Sequence, residues 1–168
     1  MLQASFETLA LVGAMVSAQF AGLTLLFARR RHAAPALRWW AASLVAESLR
    51  LGVASLATFL PAAALVLIGE GGDAVVALLV LAGTLAYIDG TKHLRLLLPA
   101  VALAGAAVAG GSLLPNAIHA AAVVLTALAA SCLAATAWLF WRQYRIERRA
   151  YNLAILPPAL LSAFHLLE

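Results

Sequence analysis

Apolar runs of about the twenty residues that a helix needs to cross a bilayer recur along the whole chain, separated only by short polar punctuation. No other feature restricts the fold as tightly, because hydrocarbon offers the backbone no hydrogen bonds and a spanning segment must satisfy its own. Of 168 residues, 65% are hydrophobic and 11% charged, against roughly 25% charged in soluble domains. The sequence therefore predicts an all-α integral membrane bundle, one transmembrane domain over residues 1–168.

The breakers and charges divide the chain into six predicted helices, at about 6–28, 39–60, 62–88, 96–113, 116–141 and 151–168. The first lacks a basic leader and reads as a retained helix, not a signal peptide. The fourth, with "AVALAGAAVAGG", offers the small residues that let membrane helices approach closely. The formal charge is +4, but every basic residue except Arg50 lies between helices, so the charge is a topology signal and not a nucleic-acid footprint. Basic residues follow helices one, three and five, and none follows two or four. That asymmetry places the basic segments in the cytoplasm and both termini outside. Trp39, Trp40, Trp138 and Trp141 fall at the same interface, as an aromatic belt would. The lone Cys132 excludes a disulfide framework; with Ser131 and Thr136 it reads as a packing surface of helix five. The last helix ends without a flanking loop, which predicts further chain beyond it.

Four charges fall inside the predicted hydrocarbon: Glu47 and Arg50 on helix two, Glu70 and Asp73 on helix three. Each pair is spaced i, i+3 and shares a helix face. Helices two and three form a hairpin about Pro61, so Arg50 lies opposite residue 72, level with Glu70 and Asp73, with Glu47 about 4–5 Å nearer the cytoplasm. Arginine is the expected partner of carboxylates at that depth. Three acids against one base leave an excess of negative charge, which calls for a protonated carboxyl, a cation or a cationic ligand. His165, about 21 Å along helix six by residue count, is a candidate fifth member of the layer. Three readings stand side by side: a register pin between helices two and three, a site that responds to a ligand or proton, or a re-entrant or solvent-exposed kink at "GEGGD". The sequence names no cofactor. His119 sits roughly 12 Å from the level of His165, which disfavours a bis-histidine haem clamp, and "HLLE" is discounted as a metal site.

The stretches "ALRWWAASLVAESLRLGVASLATFLP" and "LVLIGEGGDAVVALLVLAGTLAYIDGTKHL" resemble the N-terminal multi-helix membrane domain of bacterial signalling proteins with GGDEF or histidine-kinase outputs. The resemblance implies a multi-pass sensor of the bacterial inner membrane with an odd number of crossings and a cytoplasmic output, so the six predicted here fit a module that continues into a last helix and that output; a homodimer surrounded by lipid is the expected state. Glu70 departs from the pattern, in which a neutral polar residue such as Asn is frequent near that position. The expected function is a signal-input module, not itself an enzyme, that recognises a small or lipophilic ligand or a proton through Glu47, Arg50, Glu70, Asp73 and His165. The alternative is a small ion- or proton-coupled transporter or channel. An intramembrane enzyme ranks third, since no nucleophile has a visible base and no acids and histidines stand at metal spacing.

Overall fold

A computed structural model describes residues 2–29, 35–88 and 92–147. Among these residues the fold is all-α: α1 (Leu2–Ala28), α2 (Ala36–Ala54), α3 (Ala62–Ile88), α4 (Leu98–Leu113) and α5 (Ile118–Glu147). Short 3₁₀ turns at Ala57–Phe59, Leu94–Leu97 and Pro115–Ala117 join the last four. The predicted sixth helix, 151–168, lies outside the described residues, and His165 with it. Four segments are long and apolar enough to cross a membrane: Glu7–Ala28, Ala62–Ile88, Leu94–Leu113 and Ile118–Arg145. α2 carries Arg38, Glu47 and Arg50 in 19 residues and is not among them.

The first and second helices start earlier than the sequence reading, at Leu2 and Ala36, and the fifth starts later, at Ile118; three further ends differ for a local reason. The second helix stops at Ala54 and not at 60: Ser55 turns its hydroxyl back to the Gly52 carbonyl, 2.7 Å away, and the chain tightens into a 3₁₀ turn before Pro61. The fourth starts as a 3₁₀ turn, and its α-helical part opens at Leu98 with a proline in the first turn, where the missing N–H costs nothing. The fifth continues past 141 to Glu147, because "RQYRIE" is made largely of good helix formers and places Arg145 in the last turn, where a cation suits the helix dipole.

α1 packs on α2, α2 on α3, α3 on α5, and α4 mainly on α5, so α3 occupies the centre. The core is built largely from small residues, with Ala74, Ala77, Leu78 and Leu81 of α3 meeting Ala104 of α4 and Leu125, Ala129 and Cys132 of α5. Small side chains bring backbones close, which supplies van der Waals contact where no hydrophobic effect acts between helices. Cys132 and Thr136 are buried as the packing reading expects; Ser131 faces outward and bonds to its own helix at the Ala127 carbonyl. Of the α4 glycines, Gly111 makes the close approach: a Cβ there would lie 2.8 Å from Leu67 Cδ2 and 2.9 Å from the Ala121 Cβ. Gly105 and Gly110 face open space. The outer face of α1 bears exposed Leu9, Phe20 and Leu26, as a helix facing lipid would.

The α2–α3 hairpin has the register that residue counting from Pro61 predicts. Arg50 lies across Gly72, where an added Cβ would meet its Cδ at 2.6 Å. Eleven residues further along α3, Gly83 on the same face receives the indole of Trp40, and a Cβ at Gly83 would collide with that ring. Trp40, Tyr87 and Phe140 then form an aromatic series across α2, α3 and α5, with centroids 6.0 and 6.2 Å apart. Trp40 is thus packed between helices, whereas Trp138 and Trp141 are exposed, with the Arg142 guanidinium 5.8 Å above the Trp138 ring.

Candidate functional site: a polar layer across three helices

Arg50 projects from α2 toward α3 over the gap left by Gly72, and its guanidinium reaches two carboxylates. Nε donates to Glu47 Oε2 at 2.9 Å and Nη2 to Glu47 Oε1 at 2.8 Å, a bidentate fork within one turn of α2. The same Nε lies 3.2 Å from Asp73 Oδ1 on α3, so the ion pair crosses the hairpin through Asp73. The side chains of Arg50, Glu47 and Asp73 are each about three-quarters covered by protein.

Glu70 has a different partner. The expectation that Arg50 would hold both α3 carboxylates is met only for Asp73. Glu70 precedes Asp73 by three residues and turns toward α5, where the Thr126 hydroxyl lies 2.5 Å from its Oε2. That hydroxyl also lies 2.9 Å from the Ala122 carbonyl of its own helix. It has one hydrogen to divide between the two oxygens. Glu70 remains within electrostatic reach of Arg50 and Asp73, so the members form one charged system and not two separate pairs.

Four consecutive residues of α3 therefore face three neighbours. Glu70 bonds to α5; Gly71 faces Val108 of α4, 3.4 Å from an added Cβ; Gly72 and Asp73 receive Arg50 of α2. The helical step of about 100° per residue carries the chain from one interface to the next.

The structure thus brings together Glu47, Arg50, Asp73 and Glu70, while His165 lies outside the described residues. It adds Thr126, which sequence reasoning missed; its level with Glu70 follows only from the observed helix starts. Glu70 and Thr126 are each the ninth residue of their helices, counted from Ala62 and Ile118, and those helices run parallel. Among the described residues no three His, Cys, Asp or Glu side chains are grouped to hold a metal ion. Comparison with protein-family models, with curated proteins and with solved structures finds no match to this chain.

Proposed function

We propose that the chain is the membrane-embedded input module of a bacterial signalling protein, set in the inner membrane with six spans and the N-terminus outside, and that one further crossing leads to an output domain on the cytoplasmic side. In this reading the module works as a dimer. Its polar layer binds a proton or a small or lipophilic ligand with a cationic group, and binding changes how α3 packs against α2 and α5. The observation that carries the proposal is the unequal charge of the layer: three carboxylates and one guanidinium, joined across α2, α3 and α5 by Arg50 and Thr126. Three carboxylates exceed the charge that one guanidinium can balance, and ionisable groups at membrane depth are costly enough that a surplus calls for a use. The same surplus favours the second reading, a proton- or ion-coupled transporter, in which the extra carboxylate carries the coupling ion.

The first reading is tested by spin labels on cysteines replacing the exposed Arg38 and Arg145, in a Cys132→Ala background in lipid nanodiscs. Glu70→Gln removes one negative charge and should shift the α2–α5 distance distribution at that end. If Glu70→Gln and Arg50→Gln both leave the distribution superimposable on the parent, the layer is a static clamp and the sensor reading fails. Glu70-dependent proton flux in proteoliposomes would decide for transport.

A further inference from the structure

α3 and α4 are in close contact at Leu67 and Gly111, and further along their outer faces they flank an open cavity of about 510 Å³. Its walls include Gly71, Val75 and Leu78 of α3 and Val101, Gly105 and Val108 of α4, and every lining residue is apolar or glycine. The cavity is an open groove, since Val75, Val101 and Val108 at its rim are exposed while Leu78 and Ala104 at its floor are buried. Its volume is within the range of about 300–1,000 Å³ typical of ligand sites, but it lacks the few orienting polar groups that such sites carry. Water finds no partners in such a space. Both walls belong to segments long and apolar enough to span a membrane, so the groove opens toward hydrocarbon.

The groove also has a direction. One end, at Gly71 and Val108, is level with the polar layer; the other, at Leu79 and Val101, points to the turn that joins the same two helices and bears the exposed Lys92 and Arg95. Counting residues along α4, the groove begins about 9 Å from Arg95 and ends about 20 Å from it. Half the hydrocarbon thickness is about 15 Å. A phospholipid whose phosphate sits at that turn would thus lay its chain along the groove as far as the bilayer centre.

We propose that the α3–α4 groove and the Lys92/Arg95 turn together form a binding site for one anionic phospholipid of the adjacent leaflet, with an acyl chain in the groove and the phosphate against the basic turn. The site is separate from the polar layer and does not depend on the function proposed for it.

The test uses the full chain in nanodiscs containing phosphatidylglycerol with a photoactivatable acyl chain, and the same chain on phosphatidylcholine as the zwitterionic arm. Cross-links mapped by mass spectrometry should concentrate on residues 71–79 and 101–109, with the anionic probe favoured about fivefold per basic residue. Gly105→Leu, where an added Cβ meets nothing within 4 Å, should fill the groove and lower this labelling to the level on α1. Gly22→Leu on α1, equally unobstructed, should leave it unchanged. Lys92→Gln with Arg95→Gln should abolish the anionic preference while the chain still labels the groove. Labelling no higher than on α1, or unaffected by Gly105→Leu, overturns the site; equal labelling by both lipids in the parent overturns the headgroup assignment.

Discussion

Arg50 is shared by two carboxylates whose contacts are unequal, and their mutational costs should differ accordingly. The fork to Glu47 is two charge-assisted bonds, whereas Asp73 offers one longer contact and sits among other acids, so its removal also relieves repulsion. Arg50→Gln leaves three acids without a base and should cost about 3 kcal/mol, the lower end expected when one partner of a buried pair is removed. Glu47→Gln should cost about 2 kcal/mol and Asp73→Asn about 1 kcal/mol or less. Thermal unfolding in detergent checks the order; an Asp73→Asn variant as damaged as Arg50→Gln would refute this division of roles. At Thr126, Val keeps the shape and loses the hydroxyl. Thr126→Val should cost about 1 kcal/mol, Thr126→Ser should restore most of it, and in a Glu70→Ala background the Val substitution should cost little. A cycle showing no coupling between positions 70 and 126 would remove Thr126 from the layer.

α3 presents one face to α2, marked by Gly72 and Gly83, and that face sets how closely the two helices approach. Gly83→Ala drives a methyl into the Trp40 indole, whose ring also packs against Tyr87 with centroids 6.0 Å apart. It should destabilise by about 1–3 kcal/mol. Gly22→Ala on the open face of α1 should be neutral or slightly stabilising, as alanine is in any exposed helix. Equal melting points for the two variants would show that the Trp40 contact does not form. This seam was legible in the sequence because a hairpin about a proline is a ruler: counting from Pro61 puts Arg50 opposite residue 72 from residue numbers alone. The α3–α5 seam obeys the same rule, but nothing in the sequence says which non-adjacent helices touch, so the Glu70–Thr126 match stayed hidden among equally apolar alternatives. The α1–α2 bond from Ser48 to the Ala14 carbonyl, 2.8 Å long, was invisible for another reason. Its acceptor is backbone, and backbone acceptors carry no residue signature. Helix ends were misjudged where side chains such as Ser55 intervene or where polar helix formers outlast the apolar run.

For the molecule as a whole, the arrangement of basic residues makes a sidedness prediction that needs no knowledge of function. In a Cys132→Ser background, a membrane-impermeant maleimide added outside should label Asn116→Cys in intact cells and leave Lys92→Cys untouched until the cells are opened. The opposite pattern would invert the topology and move the proposed lipid site to the other leaflet. Helix length adds a different constraint. α3 has 27 residues and α5 has 30, about 40 and 45 Å, against a hydrocarbon thickness of about 30 Å. The α4 segment, 20 residues with its leading 3₁₀ turn, spans about 32 Å, close to that thickness. The two long helices relieve their excess by leaning or by projecting from the bilayer, and the short one does not share it. A thinner bilayer therefore loads α3 and α5 together and more than α4, so shear gathers on the α3–α4 seam, where the groove leaves least packing to resist it. The bundle is a frame with unequal struts, and membrane thickness is a mechanical load on it whatever else it binds.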